Sequence, residues 1–139
     1  HTYYWGDHHS SIFMGPERAS RMSPARSALQ RNIPFTVHCD TPVVPMEPLK
    51  LIWATVNRIT TGGVIIGEEQ RVSVMDAIRE TTINAARQNF EENVKGSIEV
   101  GKYGDPVILS EDPRLYPTRI KDIDVLETYV GGRSVFRKH

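Results

Sequence analysis

The sequence predicts an α/β fold that turns all-β near residue 94. Three observations carry that reading. A short helical stretch, residues 25–31, runs through a brief loop into an apolar strand, residues 34–40, which together make an αβ unit. Two later stretches, residues 49–58 and 73–90, repeat apolar residues at three- and four-residue spacing, the period of helices packed on one side. After Lys95-Gly96 that period gives way to alternation, the period of strands.

The elements follow in order. His1-Thr2-Tyr3-Tyr4-Trp5-Gly6-Asp7 is an aromatic run that reads as the end of a strand, and residues 8–18 read as loop. Gly15-Pro16-Glu17-Arg18 marks a turn into a short helix. Ser23-Pro24 is a helix start, with Ser as N-cap and Pro at the first helical position. In the strand, side chains alternate between faces. Phe35, Val37 and Cys39 share one face; Thr36, His38 and Asp40 share the other. Pro42 then turns the chain into a proline-rich loop. Leu49, Ile52, Trp53 and Val56 mark the first amphipathic helix, ended by Thr60-Thr61-Gly62-Gly63. Val64-Ile65-Ile66-Gly67 is apolar and too short to assign. Ser73 caps the second helix, with Asp76 as acidic partner of a capping box. Val74, Ala77, Ile78, Thr81, Ala85 and Phe90 keep phase, so one helix is expected over residues 73–90. Ser97-Ile98-Glu99-Val100 and Pro106-Val107-Ile108-Leu109 read as two short strands around a glycine turn. Residues 123–130 alternate, Gly131-Gly132 turns, and residues 134–137 return as a last strand.

Composition narrows the function. The 139 residues suffice for one domain with a core. The 17 basic and 17 acidic residues balance, so the electrostatic footprint of a nucleic-acid or anionic-membrane binder is absent. Cys39 is the only cysteine, which forbids an intrachain disulfide. No apolar run approaches the ~20 residues of a membrane span. These features together read as cytoplasmic. The abrupt aromatic opening, without an initiator Met, reads as a piece of a longer protein.

Most candidate chemistry reduces to structure. His8-His9 resembles metal bait, but neighbours in an extended segment face opposite ways and chelate one ion poorly; a surface loop is the reading. Asp7, His8 and Ser10 have triad residue types without triad geometry. Cys39 and His38 alternate to opposite faces, so Cys39 reads as core. Asp105 before Pro106 reads as an anchor that accepts backbone hydrogen bonds at the hairpin. That leaves Asp40, His38 and His1. Asp40 stands where a strand meets its loop, with His38 below it on the same face, and parallel α/β enzymes build sites at that edge. A plain buried strand whose Asp only starts the turn is the alternative, and the residues alone leave both open. A carboxylate so placed can ligate a metal and take a proton from bound water. The chain has no His-x-His pair to complete a metal centre.

The run His1-Thr2-Tyr3-Tyr4-Trp5-Gly6-Asp7, with Gly15-Pro16-Glu17-Arg18-Ala19, Pro34-Phe35-Thr36-Val37-His38-Cys39-Asp40-Thr41-Pro42 and Ile52-Trp53-Ala54-Thr55-Val56-Asn57-Arg58, resembles the carboxyl-terminal third of amidohydrolase family 3. Thr82-Ile83-Asn84-Ala85-Ala86 and Lys95-Gly96-Ser97-Ile98-Glu99-Val100-Gly101-Lys102-Tyr103-Gly104-Asp105 resemble a signature of the wider superfamily. The resemblance implies a carboxyl-terminal fragment of a TIM barrel over residues 1–94, comprising its last strand and closing helices. Residues 95–139 would be the carboxyl-terminal strands of a small β-sandwich. It implies that Asp40 is the strand-eight metal ligand and general base, that His38 lies a layer deeper, and that His1 ends the preceding strand near substrate. It implies a divalent metal, zinc, and a small amide-like substrate in an intact parent. With Asp40 alone among the family's ligands, no tightly bound metal is expected in this chain by itself. Lost strand neighbours imply self-association. The expected function is hydrolysis of non-peptide carbon–nitrogen bonds by the parent, with the isolated chain inactive. The alternative is a non-catalytic interaction module of the same ancestry.

Overall fold

A computed structural model describes residues 1–139. The chain is an α/β fold of short helices followed by a small open antiparallel sheet. The helices are α1 (Thr2–His8), α2 (Pro16–Ser20), α3 (Ala25–Gln30), α4 (Pro48–Asn57), α5 (Val74–Thr81) and α6 (Ile83–Gln88). A π-helical turn, His9–Phe13, extends α1. The sheet has the order β1 (Val107–Leu109), β2 (Val125–Val130), β3 (Arg133–Arg137).

The core forms around α4. Ile52, Trp53 and Val56 pack with Ala25 of α3, Val72 and Ala77 at α5, and Ile120. Of these, Ile52, Trp53, Val56 and Ala77 are positions that the helical period assigns inward. Trp53 is 4% exposed and donates its indole N–H to the Thr118 carbonyl at 2.8 Å. Asn57 Nδ2 donates to the Pro117 carbonyl at 2.9 Å. A 3-10 turn, Pro117–Asp122, is thereby stapled to α4 from the carboxyl-terminal part of the chain. Each bond satisfies a polar group that would otherwise be buried unpaired.

Several expectations need correction. The aromatic run at residues 1–7 is a helix, not a strand end. Its buried residues, Thr2 and Gly6, are one helical turn apart, and Tyr3 meets Trp53 edge-on with ring centres 5.4 Å apart. Tertiary packing overrides the strand preference of aromatics here. Gly6 is needed for that approach: a Cβ would lie 2.6 Å from Thr60 Cγ2. Residues 34–40 form no strand and pair with no neighbouring one. Ser23 does not cap α3; the residue at that position is Pro24. Residues 97–100 form no strand, with Gly96 and Gly101 at positive φ on either side.

The helix expected over residues 73–90 is two. Ser73 caps α5 as the capping box predicts, accepting the Asp76 N–H at 3.1 Å. The break falls at Thr82, with φ −122° and ψ −93°. Thr81 and Thr82 both donate their hydroxyls to the Ile78 carbonyl, at 3.0 and 2.7 Å. Such back-bonding competes with the helical ladder and bends it. Asp105 accepts the Gly131 N–H at 2.6 Å, which ties it to the turn between β2 and β3 rather than to the hairpin expected over residues 97–109.

Arg58 ends α4 in a left-handed conformation, φ 54°. Its side chain is 1% exposed. The guanidinium donates to the carbonyls of Ile66 at 2.7 Å, Ser23 at 3.0 Å and Met22 at 2.6 Å. One planar fork thus joins the loop after α2 to the turn after α4. Gly67 lies beneath it at φ 62°, where a Cβ would overlap the Ser20 carbonyl oxygen.

Candidate active site

The strip at residues 35–40 is the wall around which the site forms. It is held from α6 by side chains rather than by a strand. Asn84 Nδ2 donates to the Phe35 carbonyl at 3.1 Å, and Thr36 Oγ1 donates to Gln88 Oε1 at 2.7 Å. The expected alternation shows only at the end of the strip, since Phe35, Thr36 and Val37 are all half-buried. Cys39 is buried, whereas His38 and Asp40 are exposed. Asp40 has φ 59°, and its carbonyl accepts the Val43 N–H at 2.8 Å. That turn ends the strip and leaves the carboxylate at its edge.

A cavity of about 430 Å³ lies between this strip, α1 and α4. His1, His38 and Asp40 all line it. A second hollow of about 490 Å³ also includes His38 and Asp40, with Thr41, Met46 and Thr81. The strip therefore has open space along two sides. Tyr3, Trp5, Phe35 and Leu51 make much of the first cavity's lining apolar, a surface suited to an organic body with few polar groups.

One polar cluster interrupts that lining. Lys50 Nζ donates to Glu47 Oε2 at 2.6 Å and to Tyr4 Oη at 3.3 Å, and Tyr4 Oη donates to Glu47 at 3.2 Å. The Lys50 hydrogen bond holds the Glu47 carboxyl below its usual range, and the same bond raises Lys50. Both groups stay charged near neutrality and compensate each other.

Asp7 is structural. Its carboxylate accepts the Thr60 hydroxyl at 2.7 Å and the Gly62 N–H at 2.9 Å. Those bonds, the Thr60 hydroxyl first, lower its pKa. They clamp α1 to the turn after α4. His8 and His9 lie on α1 and its π-helical extension, not in an irregular loop. The His9 ring sits 6.0 Å from that of His1, centre to centre. Sequence reading missed this pair because it took residues 1–7 as a strand end and residues 8–18 as loop, in which no contact between the two rings is implied.

The donors of this chain do not make up a hydrolytic metal centre. No three His, Cys, Asp or Glu side chains converge where they could hold an ion, and such centres use three protein ligands with an open position.

The Amidohydrolase family profile matches residues 1–136. This chain belongs to the amidohydrolase family. It is 31% identical over 113 residues to the N-substituted formamide deformylase of Arthrobacter pascens, covering 81% of this chain and 21% of that protein. It is 36% identical over 126 residues to Protein LONG AFTER FAR-RED 3 of Arabidopsis thaliana, covering 88% of this chain and 21% of that one. The fold is similar to the crystal structure of an amidohydrolase from Thermotoga maritima, with a TM-score of 0.60 and 27% identity. That match covers 79% of this chain and 24% of the other. This amidohydrolase-family chain spans about a fifth of the length of the curated relatives it matches.

Proposed function

We propose that this chain is the carboxyl-terminal part of a metal-dependent amidohydrolase acting on non-peptide carbon–nitrogen bonds of a small amide-like substrate. Residues 1–94 are its share of a TIM barrel, and residues 95–139 its share of a β-sandwich. The observation that carries this reading is the shared cavity: His1 lines one space with His38 and Asp40, which lie far from it in sequence. Family membership supports the reaction class. The deformylase relative supports an N-substituted amide as the kind of substrate, which the apolar lining suits.

Asp40 is the general base in this reading. It takes a proton from the attacking water and returns it to the nitrogen as the carbon–nitrogen bond breaks. His1 and His38 bind substrate. A divalent metal, zinc in this reading, is completed by donors outside these residues, with Asp40 as the ligand this chain supplies. No helix here is long and apolar enough to cross a membrane. A second reading, a non-catalytic module of the same family, is favoured by the incomplete donor set.

The test is turnover by a polypeptide carrying these residues within a complete barrel, on N-substituted formamides. Asp40→Asn should lower turnover by roughly 10²–10⁴, the worth of a general base, with the melting temperature unchanged. His38→Gln should cost about 10–100-fold. Near-normal turnover of Asp40→Asn, or loss only through unfolding, removes Asp40 from the mechanism. Absence of any turnover by the unsubstituted protein favours the non-catalytic reading.

A further inference from the structure

The opening helix brings together two imidazoles that lie eight residues apart. His1 precedes α1, and its carbonyl accepts the Trp5 N–H at 2.9 Å. His9 follows α1 and begins the π-helical turn. The two rings are 6.0 Å apart, centre to centre, and inclined at 59°. His9 Nδ1 is enclosed and has no hydrogen-bond partner. A buried polar atom without a partner calls for an explanation, and a bound ion is one. Phe13, from the far end of the π-helical turn, lies 5.9 Å from the His9 ring. Turns of this kind recur at functional positions in helices.

The spacing fits a shared metal. A divalent transition metal bonds an imidazole nitrogen at about 2.0–2.1 Å, which puts it roughly 3 Å from the ring centre. Two rings on one tetrahedral ion then have centres about 5 Å apart. The His1–His9 rings, at 6.0 Å, are within a side-chain rotation of that spacing. Imidazole suits zinc, nickel and copper, whereas magnesium and calcium take oxygen donors.

We propose that His1 and His9 form a two-imidazole site for a divalent transition metal beside the main cavity. The site does not use the Asp40 carboxylate, which lines the same cavity as His1, and does not rest on the hydrolase reading. Two protein donors leave the other positions to water or to a ligand entering the cavity that His1 lines. His8 takes no part; its ring lies against Trp5, 6.2 Å between centres.

Calorimetric titration of the metal-stripped chain with zinc tests this. One zinc should bind per chain with roughly micromolar affinity, weaker than a three- or four-ligand site. His9→Gln and His1→Gln should each weaken binding by about tenfold or more; His8→Gln and Asp40→Asn should leave it unchanged. Nuclear magnetic resonance of the unsubstituted chain gives a readout that needs no variant: zinc should shift the ring signals of His1 and His9 together and leave His38 in place. The proposal is overturned by any of three results. These are no one-to-one binding, binding indifferent to His9→Gln, or binding lost in Asp40→Asn, which would put the metal at the other site.

Discussion

Glu80 stands on the inner side of α5 with 1% exposure, and neither carboxyl oxygen has a hydrogen-bond partner. Burial, then the charge of Asp76, pushes its pKa up to about 8 from an ordinary 4.5. A raised carboxyl pKa means that the folded state holds the proton more tightly than the unfolded chain does. The resulting stability is complete below pH 4.5 and is lost as pH rises towards about 8. Thermal melts of the unsubstituted chain should therefore fall in midpoint across that interval. Glu80→Leu should flatten the profile and raise stability at the alkaline end by about 1–3 kcal/mol, the usual cost of an unsatisfied buried polar group. A profile just as steep in Glu80→Leu would show that another group titrates.

At the scale of elements, α6 is what holds the strip bearing His38 and Asp40. The strip has no strand partner, and its Phe35 carbonyl is tied to Asn84. The break at Thr82 aims α6 for that contact, since one straight helix would carry Asn84 elsewhere. Asn84→Ala should lower global stability by only about 1 kcal/mol, the net worth of one hydrogen bond. It should also speed amide exchange selectively at residues 35–40. Uniform acceleration along the chain, or none at the strip, would mean that the tether is not what orders it.

For the whole molecule, the balance between core and surface is unusual. Only 21 of 139 residues are buried, while Ile98, Val100, Val107, Ile108, Val135 and Phe136 are exposed. The sheet has three strands and two open edges, and the strip at residues 35–40 adds unpaired backbone. Open edges beside apolar surface favour association. Light scattering should show a mass that rises with concentration above that of one chain. A single monomeric species at high concentration would contradict this. A charged substitution on the outer edge, Val135→Lys, should reduce the association without unfolding the chain, because Val135 is exposed.

What the sequence determined by itself was set by local rules. The phase of Ile52, Trp53 and Val56 established the inner face of α4, because helical period and burial agree there. Ser73 and Asp76 marked the start of α5, because a capping box is a contact between near neighbours. Alternation separated buried Cys39 from exposed His38 and Asp40, though Phe35, Thr36 and Val37 before them are equally half-buried. The shared motifs were enough for the family. Tertiary structure decided the rest. An aromatic run became α1 because Gly6 lets it approach Thr60 and because Tyr3 finds Trp53. The buried fork of Arg58 joins segments some 35 residues apart, and no short-range pattern announces it. The facing of His1 and His9 follows only once that segment is helical. Residues 34–40 remained unpaired for the same reason: a strand requires a neighbour, and hydrogen bonds to another segment are not a property of the segment itself.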